Sequence, residues 1–213
     1  MAARDYGQYS GITRAMELVG ERWALLIVRD LLVGPRRYSE LAAGLPRIPS
    51  NILAARLKEL QAAGVLRRAP RSRVIVYELT PYGRELEPVV LALGAWGFKA
   101  MGEPRQEQII TPESMTIDLR TAFRSDVASA LPATAYAGRF GSTELLIRVD
   151  GRALDVTPGN GPADLAFVAG AGIRRLISGE LAPDRAIATG VVEVLRGPGG
   201  LLERFASTFH LAA

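Results

Sequence analysis

Residues 64–80 read GVLRRAPRSRVIVYELT, and this stretch decides the fold of the first half of the chain. A strand is predicted from Val65 to Ala69, and a second one from Val74 to Leu79, where β-branched and aromatic residues dominate. A turn at Pro70-Arg71-Ser72 separates the two runs, so the pattern predicts a β-hairpin with a basic tip. Four arginines lie within seven residues there, and their mutual repulsion indicates a nearby anion such as a phosphate backbone. They are Arg67, Arg68, Arg71 and Arg73.

Helices are predicted ahead of the hairpin. Apolar residues recur at helical spacing over residues 16–31, with Gly20 separating two helices and Gly34-Pro35 ending the second. Ser39 is predicted to cap a short third helix that ends with Gly44 in a left-handed turn. The first two helices are expected to form a buried scaffold through Met16, Val19, Trp23, Leu26, Ile27 and Leu31.

The fourth predicted helix opens at Pro49 or Ser50 and closes at Gly64. Its apolar stripe consists of Leu53, Leu57 and Leu60. The opposite face is small and polar, and carries Asn51, Ala54, Ala55 and Lys58. A short helix, a polar-faced helix and an arginine-tipped hairpin, in this order, predict a winged helix-turn-helix. In that fold the second helix of the turn enters the major groove, and the hairpin contacts the backbone or the minor groove.

A long apolar helix is predicted after the hairpin. Thr80 is placed to cap it, with Pro81 at its first position. One side of this helix carries Leu86, Val90, Leu93 and Gly97, broadened by Val89 and Trp96. A helix with so many apolar residues is expected to pack against a partner surface.

Five motifs in this half carry a family resemblance: LVGERW at 18–23, LLIVRDLL at 25–32, GPRRYSEL at 34–41, NILAARLKEL at 51–60 and YELTPYG at 77–83. In order and spacing they closely resemble the HxlR family of bacterial transcription regulators, relatives of MarR, over roughly residues 9–100. The resemblance implies a homodimer, packed through the N-terminal segment and the helix from Arg84 to Met101, that binds a palindromic operator on double-stranded DNA. It further implies phosphate contacts by Arg37 and Ser39, base-edge contacts by Ser50, Asn51, Ala54 and Lys58, and wing contacts by Arg71 and Arg73.

Two positions depart from the family pattern. Several relatives sense oxidants or electrophiles through a cysteine ahead of the first helix, where this chain has Tyr9-Ser10. The chain contains no cysteine, so thiol sensing is excluded. Pro49-Ser50 also stands where the order Ser-Pro is common, so the capping of the recognition helix is expected to differ.

The second half predicts a separate α+β domain. Periodicity is lost between Met101 and Pro112, which predicts a winged-helix DNA-binding and dimerisation domain at 1–103, a linker at 104–112 and a second domain at 113–213. Thr111-Pro112 starts a helix, with Met115, Leu119, Phe123 and Val127 on its apolar side. Alternation over 134–156, with a turn at Asp150-Gly151, then predicts an antiparallel sheet. Further strands are predicted at 165–168 and 191–195, and helices at 173–178 and 201–209.

Motifs in this half resemble the C-terminal part of sterol carrier protein domains, with a match over roughly residues 113–213. They are Ala163-Asp164-Leu165, residues 176–181, Pro183, Ala186-Ile187, Gly190, Val192 and residues 201–205. The resemblance implies an apolar cavity between sheet and helices, and a small hydrophobic or amphipathic effector. Its candidate lining consists of Leu119, Phe123, Ile147, Phe167, Leu176, Phe205 and Phe209, although such spacings are also typical of a filled core.

Composition excludes several other functions. The longest charge-free run has 12 residues, short of the roughly 20 that a membrane-spanning helix needs, and no secretion signal follows Met1, so a cytoplasmic protein without membrane contact is expected. With no cysteine and one histidine, His210, neither metal nor cofactor is expected. No catalytic motif is present, which predicts that the chain is not an enzyme.

Charge favours nucleic-acid binding by the first half. Up to Glu103 the chain has 15 Lys and Arg against 10 Asp and Glu, a balance of +5, whereas from Pro104 onward the counts are 11 and 12, a balance of −1. A solvated basic surface would have the same balance. Two other hypotheses stay open: a constitutive regulator whose second domain serves dimerisation or a protein partner, and a lipid-carrier-like protein or small enzyme.

Overall fold

The structure is a computed structural model that describes residues 5–103, 105 and 107–211. The chain divides into two compact units, Met1–Val90 (unit 1) and Leu91–Ala213 (unit 2). Two residues of the predicted linker, Pro104 and Gln106, lie outside the described residues, and the linker bounds remain a prediction. Within the described ranges, no helix combines the length and the hydropathy that crossing a membrane requires.

Unit 1 begins with four helices: α1 (Gly11–Val19), α2 (Ala24–Val33), α3 (Tyr38–Gly44) and α4 (Ser50–Ala62). Their buried side chains include Val19, Ile27, Leu31, Leu41, Leu53, Leu57 and Leu60. Met16 and Leu26 are exposed, so their predicted place in the buried scaffold is wrong. Helical spacing identified the apolar side of each helix, but that side is wider than the strip that neighbouring helices cover.

The ends of α3 differ from the prediction. Ser39 is not the cap: the helix begins at Tyr38, and the Glu40 carboxylate accepts a hydrogen bond from the backbone N–H of Arg37 at 2.6 Å. This bond satisfies one of the N–H groups that the start of a helix leaves without a partner. Ser39 lies inside the helix and therefore does not occupy the cap position. Gly44 is the last residue of α3 and does not adopt a left-handed conformation. Gly64 does, with φ of 71°; it follows Ala63, the residue after the end of α4, which agrees with the predicted closure of that helix at Gly64.

The hairpin has strands β1 (Leu66–Arg71) and β2 (Val74–Leu79), paired antiparallel with Arg71 opposite Val74. The turn therefore consists of Ser72 and Arg73, and the prediction that Pro70 and Arg71 belong to it is wrong because both residues pair within β1. Ser72 takes a φ of 55°. Two-residue hairpin turns need such left-handed backbone because it matches the twist of the strands. Tyr77 also exchanges backbone hydrogen bonds with Arg36, at 2.7 and 3.0 Å, which ties the hairpin to the segment before α3.

The predicted single helix from Arg84 to Met101 is wrong. The chain forms a short α5 (Pro81–Arg84), capped by the Thr80 hydroxyl as expected, and then α6 (Glu87–Phe98). Pro88 explains the break, because its ring clashes with the carbonyl four residues earlier, that of Arg84, and it offers no N–H to that carbonyl. In the first turn of α6 the same proline is tolerated.

Unit 2 contains the rest of α6 and an α+β fold. Its further helices are α7 (Pro112–Ala122), α8 (Ser125–Ala128), α9 (Ile173–Ile177), α10 (Pro183–Ala188) and α11 (Gly200–Thr208). Its strands are β3 (Thr134–Phe140), β4 (Thr143–Asp150), β5 (Ala153–Pro158), β6 (Leu165–Ala169) and β7 (Val192–Arg196), in the sheet order β5-β4-β3-β6-β7.

The predicted antiparallel sheet is in fact mixed, because β3 and β6 pair in parallel. Residues 159–164 carry the chain from edge strand β5 to the far side of β3. Two hydrogen bonds between Asp164 and Ala135 hold the chain in place just before β6. The Ala135 N–H donates to the Asp164 carboxylate, and the Asp164 N–H donates to the Ala135 carbonyl, both at 2.8 Å. Alternation within a strand cannot indicate which strand will be its neighbour.

Candidate nucleic-acid interface

Helix α4 presents one exposed polar face. Ser50, Asn51, Ala54 and Lys58 are exposed, and Leu53, Leu57 and Leu60 are buried on the opposite side, as predicted. The Tyr38 hydroxyl donates a hydrogen bond of 2.8 Å to the backbone carbonyl of Ser50, so α3 holds the first turn of α4. Pro49 precedes that turn without a side-chain cap bond. The face therefore starts with backbone N–H groups and short side chains.

Arg56 lies on α4 but does not belong to this face. It is buried, with its guanidinium 3.4 Å from the Glu21 carboxylate and in contact with Glu59. A buried guanidinium needs such partners, because leaving it unpaired away from water is costly. Arg56 therefore stabilises unit 1 and is not available to a ligand.

The start of α3 carries Arg37 and Ser39, both exposed. The Arg37 guanidinium lies 3.3 Å from the Glu40 carboxylate. The hydrogen bond from the Arg37 backbone N–H, followed by the charge of the Arg37 side chain, holds the pKa of Glu40 below its ordinary value. Because this ion pair is exposed to solvent, a phosphate could replace the Glu40 carboxylate beside Arg37 at little cost.

The hairpin tip carries the highest density of positive charge. Arg67 and Arg71 both pair with Glu78, at 2.7 and 3.1 Å. Arg68 and Arg73 are exposed, and among the described residues neither has an ion pair. The sequence indicated an anion near these four arginines, and for Arg67 and Arg71 the chain itself supplies one, the Glu78 carboxylate. Sequence reasoning missed Glu78, although the hairpin register, once the turn is placed at 72–73, sets Glu78 directly opposite Arg67.

Comparison with known proteins identifies this half. The family model for HxlR-like helix-turn-helix proteins matches residues 18–105. Over 86 residues the chain is 40% identical to the HTH-type transcriptional regulator YvaP of Bacillus subtilis, a match that covers 39% of this chain and 80% of that protein. The chain belongs to the HxlR-like helix-turn-helix family.

Two further relatives show how far the likeness extends. The HTH-type transcriptional regulator Rv3095 of Mycobacterium tuberculosis is 41% identical over 44% of this chain, and the match spans 60% of the length of that relative. The crystal structure of the regulator YtcD, a Bacillus subtilis protein, shares 36% identity over 43% of this HxlR-family chain and 97% of its own, with a TM-score of 0.41. The family match ends at residue 105, so most of unit 2 lies beyond it.

In unit 2 of this HxlR-family protein, the seven predicted ligand residues belong to an apolar core. Six are buried and Phe123 is half-buried. Phe205 has its ring centroid 5.2 Å from that of Phe167 and 4.7 Å from that of Phe209, so the aromatic rings contact one another. Their assignment to a ligand remains a prediction.

A cavity of about 940 Å³ opens elsewhere in unit 2, and none of those seven is among the described residues that line it. Its apolar lining includes Phe98, Met115, Phe140, Ile173 and Ile177. Arg174 borders it and pairs with Glu180 through two N–O contacts of 2.7 and 2.8 Å, which lower the pKa of that carboxyl. The lining is mixed, because it also includes Glu103, Arg105, Gln108, Ser114, Asp118 and Ser142. Pockets of about this volume are typical of small-molecule sites. No cluster of three metal-ligating side chains occurs among the residues that the structure describes.

Proposed function

We propose that this transcriptional regulator binds double-stranded DNA as a homodimer at a palindromic operator, with α4 in the major groove and the hairpin at the adjacent backbone or minor groove. The observation that carries the proposal is the exposed face of α4 in the same unit as an arginine-tipped hairpin. A helix face of short polar side chains allows close approach to base edges, and cations beside it neutralise phosphates.

Each predicted contact has its own chemistry. The Asn51 amide can pair with an adenine edge through two hydrogen bonds, and the Ala54 methyl suits a thymine methyl group. Ser50 and Lys58 extend this face at its two ends. Arg37 and Ser39 on α3 are assigned to phosphate. Arg71 and Arg73 are assigned to the wing contacts, where a guanidinium neutralises backbone phosphates and is also favoured by the negative potential of a narrow minor groove.

The homodimer is proposed because large apolar side chains on α6 and α1 are exposed to water in the single chain. Val89, Leu93 and Trp96 are exposed at positions i, i+4 and i+7 of α6, and Trp96 is 75% exposed. Ile12 and Met16 are exposed four residues apart on α1. A twofold partner would bury these stripes, and two reading helices related by the same axis would then require a palindrome.

Two substitutions test the groove assignment. Asn51→Ala is expected to relax sequence preference, with little loss of affinity for unrelated duplexes, because it removes a base contact. Arg73→Ala is expected to weaken binding to all duplexes, because it removes a phosphate contact. Genomic footprinting identifies the operator, and fluorescence anisotropy at low salt measures both variants. Unchanged binding by both variants would contradict the placement of α4 and the hairpin.

We further propose that unit 2 binds a small hydrophobic effector that alters operator affinity. In this proposal residues 1–103 bind DNA and form the dimer, residues 104–112 are a linker, and residues 113–213 form a sterol-carrier-like domain. The 940 Å³ cavity supports the effector. Regulation requires the effector to bind one arrangement of the two copies of unit 1 in the dimer more tightly than another. An effector with equal affinity for both arrangements would not shift the equilibrium between them.

The apolar fluorophore 1-anilinonaphthalene-8-sulfonate tests the cavity. Its fluorescence is expected to rise with the wild-type protein and to rise less with Ser142→Trp, because Ser142 lines the cavity and the indole would fill it. Ser129→Trp, at an exposed position outside the lining, is the control. Equal fluorescence with both variants would favour the alternative, a constitutive regulator.

A further inference from the structure

The hairpin carries its own anion between two arginines. Oε1 of Glu78 lies 2.8 Å from Nε and 2.7 Å from Nη2 of Arg67, and Oε2 lies 3.1 Å from Nη2 of Arg71. Each carboxylate oxygen therefore accepts from a different guanidinium. The Glu78 side chain is only 9% exposed, whereas those of Arg67 and Arg71 are 65% and 61% exposed. The carboxylate is enclosed, and the two cations above it face solvent.

This arrangement follows from the hairpin register. Arg67 stands directly opposite Glu78, and Arg71, four residues further along β1, has its side chain on the same face of the strand. An enclosed carboxylate keeps its charge only when donors replace the lost water. The hydrogen bonds from Arg67, and next those from Arg71, lower the pKa of Glu78, so the group stays ionised at neutral pH. The three side chains together carry a net charge of +1.

DNA phosphates would need the same donors. The N–H groups that face Glu78, two of Arg67 and one of Arg71, must leave that carboxylate or share it before they bind a phosphate, which leaves fewer of the five donors of each guanidinium for DNA. The negative charge of Glu78 also opposes the approach of a phosphate to the arginines beside it. Arg68 and Arg73, which have no such partner among the described residues, carry no such cost.

We propose that Glu78 is an internal competitor for DNA phosphates. It positions Arg67 and Arg71 along the hairpin, limits the number of phosphates that the wing neutralises, and so restrains sequence-independent affinity relative to operator affinity. This inference rests on the proposed DNA-binding function. Specificity is the ratio of the two affinities, and a residue that lowers only the phosphate part raises that ratio.

Replacement of Glu78 by glutamine tests the inference, because the amide keeps the shape and removes the charge. Binding of the full-length protein to an unrelated duplex is measured by fluorescence anisotropy over a range of salt concentrations. E78Q is expected to bind the unrelated duplex severalfold more tightly, with a salt slope steeper by about 0.9 for each arginine released. The ratio of operator to unrelated affinity is expected to fall.

Asp155→Asn is the matched control. Asp155 pairs across strands with Arg148 at 3.3 Å, in unit 2, so the variant also removes one negative charge and frees one arginine. It is expected to change neither affinity nor slope. If Glu78 served only folding, E78Q would lower the melting temperature and weaken binding, and this outcome would overturn the inference. An unchanged salt slope would overturn it too.

Two further measurements keep the outcomes distinct. Arg67→Gln added to E78Q is expected to reverse part of the gain in affinity, and a double-mutant cycle isolates this coupling. Wild-type protein that binds no duplex at low salt would refute the proposed function itself. Wild-type binding that E78Q leaves unaltered would refute only the competitor role of Glu78.

Discussion

Buried polar side chains in this chain depend on the protein groups that take the place of water around them. Glu78 keeps its charge because the guanidinium groups of Arg67 and Arg71 lie beside it, and the buried Arg56 pairs with the carboxylates of Glu21 and Glu59. Tyr136 is the uncharged counterpart: it is 1% exposed, and its ring packs edge-on against Phe205 with centroids 5.2 Å apart. Burial raises the pKa of Tyr136 from 10.0 to about 12, although the positive charge of Arg204 opposes the shift. Ionisation there must overcome the low polarity of the core.

This shift predicts an alkaline limit to stability. Because the pKa of Tyr136 is higher in the folded state than in the unfolded state, its contribution is complete below pH 10 and is lost as the pH rises towards about 12. Spectrophotometric titration should show one tyrosine ionising near the upper end of this range. Tyr136→Phe should remove that step and flatten the fall in unfolding free energy between these pH values, whereas Tyr82→Phe, at an exposed site, should do neither. Persistence of the step in Tyr136→Phe would refute the assignment.

Among the helices, α6 exposes apolar side chains that no other described part of unit 1 or unit 2 is seen to bury. Leu93 and Trp96 remain exposed on a helix made almost wholly of apolar residues. Leu93→Ser and Trp96→Ser are expected to leave the fold intact and to shift the protein from dimer to monomer, because they remove apolar area that only a partner would bury. Sedimentation velocity over a range of concentrations measures the shift. Leu195→Ser, at an exposed leucine in unit 2, is the control. An unchanged dimer in both α6 variants would exclude this face as the interface.

Elements also show how far sequence reasoning reaches. Period-2 and period-3.6 patterns predicted the hairpin, the polar face of α4 and most strands of unit 2, because each depends on neighbours along the chain. The break before α6 was readable from Pro88 but was missed. The parallel pairing of β3 with β6 depends on contacts that no local pattern encodes. Packing among Phe167, Phe205 and Phe209 is equally beyond reach, since whether apolar residues fill a core or line a cavity depends on how distant side chains meet.

For the whole molecule, charge is the property that connects the sequence to its function. The excess of +5 lies in residues 1–103, and residues 104–213 balance to −1. On folding, unit 1 directs part of this excess inward or pairs it, as at Arg56, and leaves Arg73 and Arg68 exposed at the hairpin. Binding to DNA is therefore expected to depend on a few placed cations rather than on net charge.

The salt dependence of operator binding tests this view of the whole molecule. Arg37, Arg71 and Arg73 from two protomers would neutralise six phosphates, which predicts a slope of log affinity against log salt of about −5, or about −4 if Glu78 retains both copies of Arg71. Arg37→Gln and Arg73→Gln should each make the slope shallower by about 1.8 per dimer, because each removes two phosphate contacts. Arg148→Gln and Arg152→Gln remove the same charge from unit 2 and should leave the slope unchanged. If all four variants changed the slope equally, binding would follow net charge, and the placed contacts on α3 and the hairpin would be wrong.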